Sequence, residues 1–410
     1  AKLTRFFLIG FLIGVIFWSF SISWVYDAIN FYGAGQILSI ALTILIIFYL
    51  SLYFGIFALS VKYFEKSKLR ILILPSIFFI LEWFRSWMLS GFPGQNLGIL
   101  FEELWGLLPI IGVSGSSFVI VLICCIILDR AQLIYKIPTA SVLALLLLFG
   151  PGHYQQGGSK KIEVSIVQPV ESNFRSVLEI TNNIDNEIIV WPEGIARYDE
   201  SLFLDLKDKT IIGGFYRKEG EKLYQSIINT KTGHTYDKRN LVPFGEFQPF
   251  GDLLAPISSF FNIPNSSFTR GDYNQKKSDW SGLICWEIVF NNTFVNRVRG
   301  TQFIVHISND SWYGESMPAM HLKHARSRAV ESNKWVVRST TDGISQIISP
   351  RSKESSKTIN RGEKDYITHE ITLNNIDTIY VKIGDLPLLI FSFITLLSGF
   401  ILKIRRKDEI

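Results

Sequence analysis

The chain has 410 residues, of which 48% are hydrophobic, 19% are charged and 32 are Phe. This composition is too apolar and too aromatic for an ordinary soluble protein. The net charge of +5 is modest and comes partly from short loops and the tail, which argues against nucleic-acid binding. Three Cys residues, two of them adjacent within an apolar run, provide no disulfide framework.

Five long apolar segments precede the polar part of the chain, and a sixth follows it. Each approaches or exceeds the ~20 residues that cross ~30 Å of hydrocarbon. The first is too long and too aromatic for a signal peptide, so it is interpreted as a retained span. The sequence therefore predicts a multi-span helical bundle with spans at residues 6–26, 37–61, 71–90, 104–128, 133–150 and 386–403.

Lys and Arg occupy alternate loops between these segments. They precede the first span and recur at residues 62–70 and 130–136, whereas the loops at 30–36 and 91–103 contain neither. Because cytoplasmic loops are enriched in Lys and Arg, this alternation predicts a cytoplasmic N-terminus. The predicted organisation is N-terminal spans (1–150), a linker (151–160), an extracytoplasmic domain (161–380), a C-terminal span (386–403) and a cytoplasmic tail (404–410).

Two ionisable residues, Glu82 and Arg85, fall inside the third span. Charged groups at that depth are costly and usually face protein or a water-filled cavity. Their spacing of three allows a self-neutralising pair on one helix face. A contact with a lipid head group is the alternative interpretation, and the sequence does not decide between them.

After the linker, short β-rich runs alternate with helical stretches, which indicates an α/β layered domain. The predicted strands are 162–168, 187–191, 210–215, 225–229, 281–285, 302–308, 334–339 and 344–348. The predicted helices are 174–183, 200–207, 287–299 and 319–332.

Three polar side chains follow predicted strands: Glu193, Lys238 and Cys285. Strand ends are where ligands and chemistry gather in open α/β sheets. A carboxylate, an ammonium and a thiol form a set suited to nucleophilic catalysis, in which Glu193 takes the thiol proton and Lys238 stabilises a tetrahedral intermediate. Cys285 lies before a predicted helix, whose N-terminus favours thiolate over thiol. The competing interpretation is a small buried Cys beside solvated surface charges.

His321 and His324 share a predicted helix and could form part of a metal site. No convincing third ligand accompanies them, so neither a metal nor another cofactor is predicted.

Several motifs resemble a known family. Trp191-Pro192-Glu193, the Lys238 segment and the strand ending in Cys285 resemble the Glu-Lys-Cys triad of the nitrilase (carbon-nitrogen hydrolase) superfamily. More narrowly, four stretches are similar to bacterial apolipoprotein N-acyltransferases. These are LVPFGEF at 241–247, SNDSWYG at 308–314, residues 321–331 and residues 82–93.

The resemblance implies an αββα nitrilase-like domain joined to a membrane bundle. It also implies transfer of a fatty acyl chain from a phospholipid to the α-amino group of a diacylglyceryl-cysteine, through a thioester on Cys285. By the same match Glu193 is the general base, Lys238 the oxyanion stabiliser and Glu246 a supporting carboxylate beside it. The flanking residues predicted to bind substrate are Trp191, Phe247, Trp286 and Glu287.

The resemblance further implies a multi-pass protein of the bacterial inner membrane with its catalytic domain on the periplasmic side. Its expected partners are a phospholipid donor, a diacylglyceryl-modified apolipoprotein acceptor and the bilayer, and it is expected to act as a monomer. Two alternatives remain at this point. One is a membrane-tethered amidase of the same superfamily that uses water as the acceptor, and the other is a non-enzymatic membrane scaffold.

Residues 247–268 form an apolar stretch within the otherwise polar domain, interrupted by Pro249, Pro256 and Pro264. An exposed apolar patch of this size usually marks a membrane or partner contact. The stretch is therefore predicted to be a lid at the outer leaflet that admits lipid and excludes water, with an ordinary loop packed on its own domain as the alternative.

Overall fold

A computed structural model describes residues 2–31, 33–129, 133–153, 158, 160–243, 245–247, 268–351 and 354–408. The chain divides into two units. The helical unit contains Ala1–Tyr26, Ile37–Tyr154 and Lys382–Ile410, and the α/β unit contains Asp27–Gln36 and Gln155–Val381.

The α-helices among the described residues are numbered in chain order. They are α1 (Lys2–Ser21), α2 (Trp24–Phe31), α3 (Gln36–Tyr63), α4 (Arg70–Arg85), α5 (Leu108–Leu128), α6 (Leu133–Phe149), α7 (Phe174–Thr181), α8 (Asn291–Val298), α9 (Met317–Ser332), α10 (Ile379–Ile383) and α11 (Leu386–Asp408). Short 3₁₀ helices cover Met88–Ser90, Leu97–Ile99, Glu102–Leu107, Pro151–His153, Glu200–Leu206 and Cys285–Val289.

Four of the six predicted spans are helical stretches long and apolar enough to cross a membrane. They are Lys2–Ser21, Gln36–Tyr63, Glu102–Leu128 and Leu386–Arg405. The other two correspond to α4 and α6, which have only 16 and 17 residues. Both also contain an internal proline, Pro75 and Pro138, which removes a helical hydrogen bond.

Small residues allow α1 to approach α3 closely. A Cβ atom added at Gly10 would lie 2.5 Å from the Phe54 carbonyl oxygen, and one added at Gly14 would lie 2.9 Å from the Ser51 Cα. Glycines four residues apart produce such close helix contacts in membranes, where dispersion drives association. A larger side chain at either glycine would therefore push the two helices apart.

Glu82 and Arg85 both lie buried at the end of α4 and bind the segment that follows it. The Arg85 guanidinium donates to the Gly94 carbonyl oxygen at 2.7 Å and to Asn96 Oδ1 at 2.5 Å. Glu82 Oε1 accepts from the Leu97 N–H at 3.0 Å. These contacts fix the 94–97 segment, so the geometry favours a structural role over a lipid head-group site.

The α/β unit contains two sheets. The strands are β1 (Lys161–Gln168), β2 (Ile188–Val190), β3 (Ala196–Arg197), β4 (Thr210–Glu219), β5 (Lys222–Asn229), β6 (Thr235–Asp237), β7 (Trp280–Ile284), β8 (Phe303–Ser308), β9 (Val336–Thr340), β10 (Gln346–Ile348) and β11 (Asp365–Thr372). The first sheet has the order β11-β1-β2-β4-β5-β6, with β3 paired to β4. The second has the order β10-β9-β8-β7, in which β7, β8 and β9 are parallel.

Apolar residues from both sheets fill one shared core, including Ile166 of β1, Ile284 of β7 and Ile307 of β8. The outer face of the second sheet packs on α8 and α9, and the outer face of the first packs on α7. The unit is therefore a four-layer αββα sandwich, as the resemblance implied.

Several elements of the α/β unit differ from the prediction. Strands β3 and β6 were not predicted, and the predicted helix 200–207 is the 3₁₀ helix Glu200–Leu206. The predicted helix 287–299 is broken into the 3₁₀ helix Cys285–Val289 and α8, because Phe290 between them has an extended backbone (φ −84°, ψ 105°). Strand β11, which was not predicted, pairs antiparallel with β1 at the edge of its sheet. The strand was not predicted because it buries only two apolar residues, Ile367 and Ile371, among polar ones.

Candidate active site

The predicted catalytic residues converge in the interior of the α/β unit. Glu193 follows β2, Lys238 directly follows β6 and Cys285 directly follows β7. Lys238 Nζ lies 3.0 Å from Glu193 Oε1 and 2.6 Å from Glu246 Oε1. The charges of Glu193 and Lys238 both act on the Cys285 thiol. The strand ends that the sequence singled out therefore meet at one site.

Lys238 is the central cation of the site and is fully buried. Besides the two carboxylates, its Nζ donates to Gln225 Oε1 at 3.3 Å. Burial opposes the charge, but Glu193 and Glu246 outweigh it and raise the Lys238 pKa well above its usual range. The side chain is therefore a fixed ammonium at neutral pH, suited to stabilising a developing oxyanion.

Glu193 is a buried carboxyl group with a partner on each oxygen. Oε1 faces Lys238, and Oε2 accepts from the Asn309 N–H at 2.9 Å. Burial raises the pKa of Glu193 to about 7, against the opposing charge of Lys238 and with a further contribution from Glu246. A carboxylate that titrates near neutral pH is well matched to general-base work.

Cys285 is buried, with 2% of its surface exposed, and its backbone is left-handed at φ 53°. Its Sγ lies 3.8 Å from the Tyr313 hydroxyl oxygen. Burial, followed by the charge of Glu193, raises the pKa of this thiol to about 12. The expectation of a resting thiolate is therefore wrong. The helix after Cys285 is a five-residue 3₁₀ turn, and burial outweighs any charge at its N-terminus.

Glu246 is held rigidly beside Lys238. Its Oε2 accepts from the Val242 N–H at 2.8 Å, and its own backbone N–H donates to the Val242 carbonyl oxygen at 2.9 Å. The carboxylate is thus fixed by the turn that carries it. Glu246 is placed to orient Lys238, and its supporting role stays a prediction.

Trp191 lies in the packed interior instead of lining the site. Its ring is fully buried in the core beneath α7, beside Phe203 and Phe215, and its Nε1–H donates to Thr181 Oγ1 at 2.9 Å. The side chain packs with Val177 and Ile180 of α7 on the outer face of the first sheet. The structure therefore gives it no surface for a substrate, and the predicted substrate-binding role is replaced by a packing role.

Glu287 is likewise fully buried. Its carboxylate accepts hydrogen bonds from the Tyr236 hydroxyl and from the N–H groups of Arg239, Asn240 and Ile284, at 2.7 to 3.0 Å. These donors engage both oxygens. Glu287 therefore joins the end of β7 to the segment after Lys238, and its predicted contact with substrate is replaced by this internal role.

The other two predicted substrate-binding residues are partly exposed. The Trp286 ring centroid lies 6.2 Å from that of His321 and 6.4 Å from that of His324. The Arg270 guanidinium lies 4.7 Å from the Phe247 ring centroid. Substrate binding by Trp286 and Phe247 stays a prediction.

Most of the predicted lid, residues 248–267, lies outside the described residues. The chain is described again at Phe268, whose backbone N–H donates to the Glu246 carbonyl oxygen at 3.0 Å. Its ring stacks on Tyr216, with centroids 5.8 Å apart. Both ends of the stretch are therefore anchored beside the catalytic carboxylates.

Sequence reasoning assigned no role to several residues that contact the site: Gln225, His306, Asn309 and Tyr313. Asn309 directly follows β8, so the strand-end pattern that identified Glu193 and Cys285 applies to it as well. His306 lies inside β8, and no sequence pattern singled it out. In the described part of the chain no group of three or more His, Cys, Asp or Glu could hold a metal ion, and His321 instead faces Asp310.

Comparison with known proteins gives two family matches. The apolipoprotein N-acyltransferase N-terminal domain matches residues 1–126, and the carbon-nitrogen hydrolase domain matches residues 207–380. The apolipoprotein N-acyltransferase of Wigglesworthia glossinidia brevipalpis is 32% identical, over 97% of this chain and 89% of that protein. Those of Photobacterium profundum (32%, over 98% and 87%) and Shewanella oneidensis (31%, over 93% and 84%) are similarly related.

Proposed function

Because the chain belongs to the apolipoprotein N-acyltransferase family, we propose that it transfers a fatty acyl chain from a phospholipid to the N-terminal α-amino group of S-diacylglyceryl-cysteine in apolipoproteins. Its relatives carry the name of an N-acyltransferase, and its α/β unit contains a carbon-nitrogen hydrolase domain. Four apolar helices of membrane-spanning length fit an enzyme whose substrates are lipids.

The first half-reaction acylates Cys285. Glu193 removes the thiol proton as Sγ attacks the ester carbonyl carbon of the phospholipid, and the carbonyl oxygen becomes an oxyanion that Lys238 stabilises. When the intermediate collapses, the ester C–O bond breaks. Glu193 returns its proton to the departing alkoxide, which leaves as the hydroxyl group of a lysophospholipid. A thioester on Cys285 remains.

The second half-reaction passes the acyl group to an amine. The neutral α-amino group of the acceptor attacks the thioester carbonyl carbon, and Lys238 again stabilises the oxyanion. Glu193 accepts a proton from the attacking nitrogen. The C–S bond then breaks, the thiolate regains that proton, and an amide is released. All of these groups belong to the α/β unit.

The observation that carries this proposal is the geometry around a buried thiol: Lys238 Nζ lies 3.0 Å from Glu193 Oε1 and 2.6 Å from Glu246 Oε1, and the charges of Glu193 and Lys238 both act on Cys285. A thiol with a pKa near 12 is inert without a base. Glu193 supplies that base in the same water-poor interior.

Intact-mass measurement after incubation with phospholipid tests the proposal. We expect an acyl adduct on the native chain, lost when a diacylglyceryl lipopeptide is added, and no adduct on Cys285→Ala. Adjacent Cys124 and Cys125 provide the control, because their replacement by Ala should leave the adduct intact. An adduct that persists in Cys285→Ala would contradict the thioester, and one released as fast by water as by lipopeptide would favour the amidase.

We also propose that the catalytic unit lies on the extracytoplasmic side of the bacterial inner membrane. Among the described residues, three helices of membrane-spanning length precede residue 161, and five helices do so if α4 and α6 both cross as well. Both counts are odd, so both put the α/β unit opposite the basic N-terminus. In a chain without native Cys, an impermeant thiol reagent should label a cysteine at Glu221 but not one at Ser67 in intact spheroplasts. The reverse pattern would overturn this orientation.

A further inference from the structure

Two buried imidazole rings contact the backbone carbonyl oxygen of Cys285. His306 Nε2 and His321 Nε2 each lie 3.1 Å from this oxygen. Both histidines have no exposed surface. Cys285 itself has a φ of 53°, a left-handed conformation that a residue with a side chain adopts only when its surroundings enforce it.

The protonation of His306 follows from its other partner. Arg338 Nη1 lies 2.9 Å from His306 Nδ1, and a guanidinium can only donate, so Nδ1 accepts. Burial, followed by the charge of Arg338, lowers the His306 pKa well below its usual range. The ring is therefore neutral with its proton on Nε2, where it donates to the Cys285 carbonyl oxygen.

One carboxylate ties the second ring to the same cation. Asp310 Oδ1 lies 3.0 Å from His321 Nδ1, and Asp310 Oδ2 accepts from Arg338 Nη2 at 2.7 Å. The Ser308 hydroxyl also donates to Oδ1, at 2.5 Å. Burial raises the Asp310 pKa, but the neighbouring His321 and Arg338 outweigh it and hold this pKa below its usual range. The two rings are thereby braced from β8, β9 and α9 at once.

We propose that His306 and His321, braced by Asp310 and Arg338, are positioning residues that hold the Cys285 nucleophile in its reactive conformation. This imidazole clamp (His306, His321, Asp310 and Arg338) touches the peptide group of Cys285 and not the reacting sulfur. This proposal adds positioning residues to the proposed function, and its test by acylation of Cys285 rests on that function.

Peptide geometry explains why holding the Cys285 carbonyl group in place would also position the Cys285 side chain. The peptide joining Cys285 to Trp286 is planar and trans, so fixing its C=O direction also fixes the Trp286 N–H in the opposite direction. The N–H that follows a nucleophile at a sharp turn is a natural oxyanion donor. The clamp would therefore set the side chain and this N–H together, and a misplacement of ~1 Å costs about 100-fold in rate.

Paired substitutions separate positioning from packing. Gln can present its amide N–H where His306 carries Nε2–H and where His321 places Nε2, whereas Leu fills similar space without a donor. We expect His306→Leu and His321→Leu to lower the maximal rate of Cys285 acylation about 100-fold, with the half-saturating phospholipid concentration unchanged. His306→Gln and His321→Gln should recover most of that rate. His369→Leu, which changes a partly exposed histidine of β11 that packs on Trp335 outside the site, should match the native chain.

A second readout does not depend on acyl transfer. The rate of Cys285 alkylation by iodoacetamide should change in both Leu variants and return toward the native value in the Gln variants, with thermal unfolding recorded for each. If the Leu variants do not fold, Arg338→Lys serves instead, because Lys cannot hold His306 and Asp310 together, and a drop of about tenfold in acylation is expected.

Leu variants that acylate and alkylate at native rates would overturn the clamp. So would Gln variants that are as slow as their folded Leu counterparts, since packing alone would then explain the loss. An alkylation pattern as expected, with no acyl adduct on the native chain, would instead uphold the clamp and reject the proposed function.

Discussion

The helical unit and the α/β unit each bury an acidic and a basic side chain in the same neighbourhood, but with different partners. Arg85 and Glu82 bind neutral groups of the loop that follows α4, a carbonyl, an amide side chain and a backbone N–H. Lys238 instead binds two carboxylates, Glu193 and Glu246. A buried charge that contacts neutral groups fixes a loop, whereas buried charges that contact one another shift each other's proton affinity.

The largest effect should follow removal of the central cation. Lys238→Met should abolish detectable acylation of Cys285, a loss of at least ~1,000-fold, because the oxyanion loses its stabilising charge and the Glu193 pKa rises further. Intact-mass time courses with phospholipid would measure this loss. Folding of this variant is checked by circular dichroism, because the substitution leaves two buried carboxylates without their partner and so destabilises the fold. A folded variant that acylates within tenfold of native would contradict the role of Lys238.

The pH dependence of acylation should report Glu193. Because the base form is required and its pKa is about 7, the rate should rise with pH and level off above neutrality. Two pH units below the pKa only about one-hundredth of the base remains, so acylation at pH 5 should be about 100-fold slower than the plateau. The acylation step is measured alone, since the acceptor amine also titrates. A flat profile from pH 5 to 8 would exclude Glu193 as the base.

Glu246→Gln should lower the acylation rate less than Lys238→Met does, and it should also shift the midpoint of the pH profile in a defined direction. Lys238 loses its shortest ionic contact, so acylation should fall about tenfold. The charge of Glu246 also helps to raise the Glu193 pKa, so the midpoint of the pH profile should move to lower pH. Gln keeps the size of the side chain, and Glu219→Gln, on an exposed strand end, controls for loss of a carboxylate. A midpoint that stays the same or moves to higher pH would mean that the charge of Glu246 does not raise the Glu193 pKa.

Alternating elements were sufficient to predict a layered α/β domain, and side chains at strand ends were sufficient to predict the meeting of Glu193, Lys238 and Cys285. The αββα arrangement came from the family resemblance. The sequence was not sufficient to predict the ionisation of Cys285. That property depends on burial by distant strands and on the charge of Glu193, and neither is a local pattern. The length of the helix after Cys285 was also predicted incorrectly. The apolar spacing is regular, but the extended backbone of Phe290 interrupts the helix.

Residues flanking the motifs were harder to interpret than the motifs themselves. Trp191 and Glu287 each lie two residues from a predicted catalytic residue, but nearness in sequence does not place a side chain at the site surface, and both are buried in the interior. The clamp residue His306 was missed because it lies within a strand that is buried along its whole length. Its role depends on Arg338 and Asp310, which come from other parts of the chain.

The smallest effect on acyl transfer should come from the helical unit, and it tests the comparison directly. Arg85→Leu removes the donors to Gly94 and Asn96 and leaves two buried acceptors without partners, at a cost of about 1–3 kcal/mol each. We expect a lower thermal unfolding temperature in detergent, while the folded fraction, quantified by size exclusion, acylates Cys285 within about threefold of the native rate. Arg85→Lys should recover part of the stability by restoring one donor. If Arg85→Leu unfolds at the native temperature but loses acylation as severely as Lys238→Met, this buried charge serves the reaction and the contrast between the two units does not hold.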